Sequence, residues 1–97
     1  MRIFALRTLR AFWALYPDSE EPLRAWFQQA ESASWTGPAD IKRLYSSASF
    51  VGSDRVVFNI GGNKYRLVVL MRYPFHAGYI LFIGTHAEYD RIDVSKL

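Results

Sequence analysis

His86, Tyr89 and Asp90 form the grouping in this chain best suited to moving protons. An unperturbed imidazole titrates at about 6.5, so both of its forms are available near neutrality. At a phosphate-rich surface such a histidine can act as base toward a 2′-hydroxyl or as acid toward a departing 5′-oxygen. His86 follows an apolar run that closes with Gly84-Thr85, which places it at the rim of a sheet. One helical turn beyond it would bring Tyr89 and Asp90, three and four residues on, to its side. Asp90 would then orient the ring, and Tyr89 would stack a base or help a proton move. The plainer role for Tyr89 is to cover the sheet edge.

Lys64 and Arg66 stand two apart, so on a strand they share a side. Arg55, Val57 and Asn59 share a side of the preceding strand in the same way. In one register Arg55, Asn59, Lys64 and Arg66 line a single concave surface. A guanidinium offers a planar fork and an ammonium a mobile point charge, and both suit phosphodiesters. Arg72 adds a further cation, and His76 lies in a loop beside Phe75, where a surface position is expected. The alternative is that Lys64 and Arg66 are only the charged start of a strand leaving its hairpin.

Other chemistries are excluded or unsupported. The chain has no cysteine, which removes disulfides, cysteine-zinc sites and thiol catalysis and agrees with a reducing cytoplasm. Two separated histidines without organised carboxylates do not match metal-ligand spacing, so neither a metal nor a cofactor is expected. There is no P-loop, no Gly-x-Ser-x-Gly and no Gly-x-Gly-x-x-Gly. The first seven residues carry arginines that interrupt any apolar run, unlike a signal peptide. No uncharged stretch approaches the roughly 18 to 20 apolar residues needed to span a bilayer. A soluble, cytoplasmic protein without membrane contact is the expectation.

The elements that must position these residues are readable from periodicity. Leu6, Leu9, Phe12, Trp13 and Tyr16 recur at three- and four-residue spacing, which predicts a helix with one apolar stripe. Tyr16-Pro17-Asp18-Ser19 ends it. Asp18 and Glu21 resemble a capping pair for a second helix, with Pro22 tolerable in its first turn. Leu23, Trp26, Phe27 and Ala30 form that helix's stripe, so the two make a hairpin. Gly37-Pro38 opens a short third helix, Ala39 to about Tyr45.

After Ser46 the pattern turns extended. Ala48 to Val51 and Arg55 to Ile60 read as strands, joined by a turn around Gly52-Ser53-Asp54. Gly61-Gly62-Asn63 is the clearest hairpin signal. Lys64 to about Arg72 returns as a central strand, apolar on both faces from Leu67. Tyr73 to Gly78 is a loop, Tyr79 to Ile83 is another strand, and Gly84 ends it. Met1 to Phe4 adds an edge strand. Residues 1–97 are thus expected as one α+β domain, with N-terminal helices packed on a mostly antiparallel sheet. At this length folding buries roughly two-thirds of the unfolded surface, enough for independent stability.

Charge is distributed unevenly. The net charge is +3, but no acid lies between Asp54 and Glu88, where Arg55, Lys64, Arg66, Arg72, His76 and His86 all fall. From Asp18 to Asp40, five acids face only Arg24. A cationic sheet attracts polyanions through local potential whatever the total.

Val56-Val57-Phe58-Asn59-Ile60, Asn63-Lys64-Tyr65-Arg66-Leu67 and Gly84-Thr85-His86-Ala87-Glu88-Tyr89-Asp90 resemble the signature stretches of the HigB family of bacterial type II toxins. Arg7-Thr8-Leu9-Arg10-Ala11-Phe12-Trp13 and Pro38-Ala39-Asp40-Ile41-Lys42 fit as well, so the resemblance covers nearly the whole chain. It implies a RelE-like fold and an mRNA interferase, an endoribonuclease that cuts messages, in many members on the ribosome, and so inhibits translation. It implies a HigA-type helix-turn-helix antitoxin, with operator DNA bound only through the toxin–antitoxin complex. By the same resemblance Lys64 and Arg66 would hold the scissile phosphate, His86 would be the acid or base, and Tyr89 would assist. Arg55, Asn59, Arg72 and His76 would contact RNA, and Arg2, Arg7 and Arg10 would be open to an acidic antitoxin. A metal-independent attack by the RNA 2′-hydroxyl is the expected mechanism. The competing readings are a non-catalytic RNA-binding module and a protein-interaction module built on the aromatic helical hairpin.

Overall fold

Apolar stripes at helical spacing need a surface to cover, and the two-sided strands after residue 48 provide it. The structure is a computed structural model that describes residues 1–52 and 54–97. Helices α1 (Leu6–Leu15), α2 (Glu20–Ser32) and α3 (Pro38–Leu44) precede most of the sheet. Strands β1 (Arg2–Phe4), β2 (Ser49–Val51), β3 (Arg55–Ile60), β4 (Tyr65–Arg72) and β5 (Ala77–Thr85) form one sheet in the order β1-β5-β4-β3-β2. Strand β1 runs parallel to β5, and every other pairing is antiparallel. A one-turn helix, α4 (His86–Tyr89), follows β5 directly.

The sheet has two unequal faces. Val56, Phe58 and Ile60 of β3 and Tyr65, Leu67, Val69 and Met71 of β4 meet the helical layer. Leu9, Phe12 and Trp13 of α1, with Leu23, Trp26 and Ala30 of α2, close over them. Phe58 is the centre of this packing, with ring centroids of Trp26, Tyr45 and Trp35 at 5.3, 5.2 and 6.4 Å. Truncating such a ring to alanine costs about 3 to 5 kcal/mol. On the opposite face Val57 and Val68 are covered by Val94, with Phe82, Tyr89 and Ile92 partly buried around them. The C-terminal segment therefore shields one part of that face.

Strand β5 departs from simple alternation. Val68 pairs with Phe82 while Val69 pairs with Ile80, so Leu81 is an extra residue. A bulge of this kind re-phases the strand beyond it. It puts Phe82 and Gly84 on the face that carries Val68 and Arg66.

Several boundaries differ from those expected. Ala48 lies outside β2, and Lys64 belongs to the hairpin turn because pairing starts at Tyr65. Gly61 and Gly62 supply that turn with φ of 62° and 69°. The third helix starts one residue earlier, at Pro38, and ends at Leu44. The loop before β5 is shorter than expected, because Tyr73–Phe75 is a 3-10 turn and β5 begins at Ala77. Gly84 does not end β5, since pairing continues to Thr85; a Cβ at Gly84 would lie 2.5 Å from the Phe82 ring. Asp18 does not cap α2, as its carboxylate is bound by Lys64 and Tyr65 instead. Of the expected turn at 52–54, Gly52 has φ of 67° and Ser53 lies outside the described residues.

Candidate functional site

The ends of β4 and β5 bring the strongest candidates together. Tyr65 pairs with Thr85, Arg66 pairs with Gly84, and the His86 N–H donates to the Lys64 carbonyl at 3.0 Å. The strand must stop there because a capping box starts α4. The Thr85 N–H donates to Glu88 Oε1 at 2.8 Å, and the Glu88 N–H donates to Thr85 Oγ1 at 3.1 Å. The reciprocal bonds satisfy two of the free donors that open a helix. A Thr-x-x-Glu spacing carries that signal in the sequence, although the acid-base grouping draws attention past it.

This turn orients His86. Its Nδ1 lies 3.0 Å from Asp90 Oδ2, in i,i+4 geometry. A carboxylate beside Nδ1 leaves Nε2 as the nitrogen open to exchange a proton with a ligand. The two side chains are 48% and 58% exposed, so their attraction is worth at most about 1 kcal/mol. Orientation is its main effect. Tyr89 packs its ring near Phe82, centroids 6.4 Å apart, at the apolar cluster under the C-terminal segment. A hollow of about 430 Å³ opens beside it, between Val51, Tyr89, Asp90 and the 92–95 segment.

Arg66 is the site's unusual cation. It is only 8% exposed. Its Nη1 donates to the Asn63 and Tyr65 carbonyls at 3.2 and 3.1 Å, and its Nη2 donates to Asn63 Oδ1 at 3.2 Å. All three acceptors are neutral. Among the described residues no carboxylate lies within ion-pair distance of it. Withdrawing a charge from water without a counter-ion costs several kcal/mol, so a fold that keeps one holds an anion-seeking group. Asn59 stands opposite Arg66 on β3 and is half-buried on the same face.

Lys64, Arg55 and Arg72 are paired and apart. Lys64 does not share the surface of Arg66, because it precedes the regular alternation of β4 and reaches Asp18 Oδ2 at 2.8 Å. Tyr65 donates its hydroxyl to the other oxygen of Asp18. The hydrogen bond from Lys64, then that from Tyr65, holds the Asp18 carboxyl below its ordinary 3.8. Asp18 in turn pushes the Tyr65 phenol up to about 12, with burial adding to the effect. Arg55 occupies the far end of β3, where it bonds Asp54 Oδ1 at 3.2 Å and the Leu97 carbonyl. Arg72 meets the other oxygen of Asp54 at 3.3 Å. Of the four residues expected on one surface, Asn59 and Arg66 meet, Arg55 shares their face at its far end, and Lys64 is drawn away to Asp18.

His76 is remote. It sits at the start of β5, with a left-handed backbone at φ 51°, and its carbonyl accepts from the Arg2 N–H at 2.7 Å. The nine residues of β5 separate the two histidines, roughly 30 Å at the usual rise. Another hollow, of about 480 Å³, opens beside Trp35 and Leu44 and is lined by none of these candidates. Its one carboxylate, Asp40, is engaged by Thr36 and Arg43. Among the described residues no three histidine or acidic side chains converge as around a metal ion. None of the described helices is long and apolar enough to cross a membrane. Asn63 and Asp18, which hold the two neighbouring cations, were not foreseeable as partners, because each contact depends on how the hairpin turn bends.

A family model described as HigB_toxin, RelE-like toxic component of a toxin-antitoxin system, matches residues 19–92. The mRNA interferase toxin HigB of Escherichia coli strain K12 is 28% identical over 92 residues, which is 93% of this chain and 88% of that protein. The mRNA interferase HigB proteins of Escherichia coli O157:H7 and of Shigella flexneri match to the same extent. With a family match over most of its length and an α+β architecture of the RelE-like kind, this chain belongs to the HigB family of RelE-like toxins of toxin–antitoxin systems.

Proposed function

We propose that this chain is an mRNA interferase that inhibits translation by cutting messages, on the ribosome, through a metal-independent attack of the RNA 2′-hydroxyl. The observation that carries this reading is the meeting, at one end of the sheet, of a buried guanidinium without a carboxylate and a histidine oriented by one. The names of the relatives support its mRNA interferase part. Arg66 would take a non-bridging phosphate oxygen and stabilise the charge that grows there. His86 would exchange a proton through Nε2. The 2′-oxygen bonds to phosphorus as its proton passes to a base, the P–O5′ bond breaks, and the 5′-oxygen leaves with a proton. The products are a 2′,3′-cyclic phosphate and a 5′-hydroxyl end. Tyr89 would assist, and Lys64 would join on leaving Asp18. Asn59 would contact the substrate beside Arg66, while Arg55, Arg72 and His76 would meet RNA only along a longer path. A HigA-type helix-turn-helix antitoxin would restrain the toxin, using exposed Arg7 and Arg10 of α1, and operator DNA would be bound through that complex.

Mapping new 5′ ends on message incubated with the protein, with and without ribosomes, tests the reading. Cleavage is expected to stop when the cut position carries a 2′-deoxy sugar and to continue in a chelator. Loss of activity in chelator, regained on adding metal, overturns the mechanism. Tight RNA binding without any new ends would make the chain a non-catalytic RNA-binding module.

A further inference from the structure

At the end of the sheet away from His86, two aromatic rings stand in solvent where strand patterning would favour burial or a polar residue. Phe4 of β1 and Tyr79 of β5 are register partners. Their rings stack, with centroids 5.1 Å apart and planes 13° from parallel. They keep 40% and 42% of their surface exposed. The Arg2 guanidinium lies over the Phe4 ring, 5.5 Å from its centroid. Tyr79 pairs with Leu70, which alternates along β4 with Val68 and Arg66, so the stack shares the face of Arg66.

The chain on either side of the stack is poor in acids. Residues 1–17 contain Arg2, Arg7 and Arg10 and no acid, and residues 55–87 contain no acid either. Strands β1 and β5 are therefore free of carboxylates. At this end Arg55 and Arg72 are both neutralised by Asp54. Exposed π-faces beside unopposed guanidinium suit an unpaired nucleic-acid strand, whose bases stack while its phosphates attract the cations. A protein partner would want the apolar area but would gain nothing general from the surplus of positive charge.

We propose that Phe4, Tyr79 and Arg2 form a base-stacking subsite for the single-stranded RNA that flanks the cut. The inference rests on the ribonuclease reading for what the RNA is, but not for the binding itself. Tyr79 lies seven residues from His86 along β5, about 23 Å at the strand rise. A stacked strand covers that in about seven nucleotides at 3.4 Å each, and a stretched one in fewer. The subsite holds the substrate outside the chemistry and sets how much RNA the toxin must see.

The test measures binding of 2′-O-methyl oligonucleotides, which lack the attacking hydroxyl, alongside cleavage of the unmodified RNAs. A minimal oligonucleotide spanning the cut is compared with one extended by about eight nucleotides on each side. Wild-type protein is expected to bind the extended form more tightly. Phe4→Ala/Tyr79→Ala should lose about tenfold to a hundredfold in affinity for it and little for the minimal form. Phe4→Leu/Tyr79→Leu, which keeps apolar bulk at the edge while removing the π-faces, should lose it too. Arg2→Gln should lower the salt slope for the extended form by about one. If the leucine variant binds extended RNA like wild type, the proposal is overturned. It is also overturned if the alanine variant changes only self-association or antitoxin binding. A wild-type protein that cuts nothing, yet loses length-dependent binding on substitution, keeps the subsite while sinking the ribonuclease reading.

Discussion

Strand β5 has a histidine at each end, and the two ends differ in everything except that residue. His86 opens a capped helical turn, is aligned by Asp90, and bonds through its N–H to the residue before β4. Close by, Arg66 is buried with neutral partners only. His76 instead holds a corner with its backbone, and the nearby Arg72 is paired with Asp54. One end keeps a cation unneutralised and a proton carrier oriented. The other neutralises Arg72 and sets Arg2 against displayed aromatic rings. Residue type alone marks neither end as catalytic; what distinguishes them is which charges have been left without partners.

Exchanging the histidines one at a time breaks the comparison most directly. His86→Gln is expected to lower cleavage by about a hundredfold to ten-thousandfold, the usual worth of a general acid or base. His76→Gln should stay within about twofold of wild type in single-turnover cleavage of minimal RNA, since nothing places its ring near the reacting atoms. Equal losses in the two variants would mean that the ends are not specialised. Arg66→Met is the next largest. Cleavage should fall about a hundredfold to a thousandfold, because a donor to the developing charge is gone. The melting temperature should hold or rise, since an apolar chain replaces a buried charge without a counter-ion. A loss of activity that tracks a loss of fold would make Arg66 structural.

Why this contrast is only half legible in the sequence follows from the same residues. The alternation Val56, Phe58, Ile60 and the stripe Leu23, Trp26, Ala30 are local periodicities, and the sheet and helices follow from them. The i,i+4 relation of His86 to Asp90 is also local, and one capped turn makes it real. Lys64 and Arg66 look equivalent because alternation assumes a strand. The glycine turn ends one residue too late for Lys64, and an acid distant in sequence, Asp18, captures it. The bulge at Leu81 is invisible for a related reason, since β5 is apolar on both sides and offers no pattern to break. Long-range ion pairs and register shifts decide the electrostatics of the site, and neither has a short-range signature.

Smaller changes sharpen the assignment. Asp90→Asn retains a hydrogen-bond acceptor for Nδ1 but removes its charge, and the pair is about half exposed. Cleavage should therefore drop by no more than about fivefold. A loss as large as that of His86→Gln would give Asp90 a direct part in the chemistry rather than a positioning one.

The smallest effect is expected at Asp18, where the two neighbouring cations can be compared by releasing one of them. Asp18→Asn frees Lys64 and should improve RNA affinity by about two- to fivefold if Lys64 then turns toward the phosphate. No change in affinity, with the clamp shown to be open, would leave Arg66 as the sole phosphate ligand of the two. Opening is read from the tyrosine. Because Asp18 raises the Tyr65 phenol to about 12, its stabilisation is complete below the ordinary value of 10 and is lost as pH rises through about 12. Asp18 itself has a lowered pKa, so its contribution is present above 3.8 and is lost as pH falls through the lowered value. In Asp18→Asn, Tyr65 should ionise nearer 10 in an alkaline absorbance titration, and the acid limb of stability should flatten below about pH 4. If Tyr65 still ionises near 12, burial rather than Asp18 holds it there, and the clamp contributes less than its geometry implies.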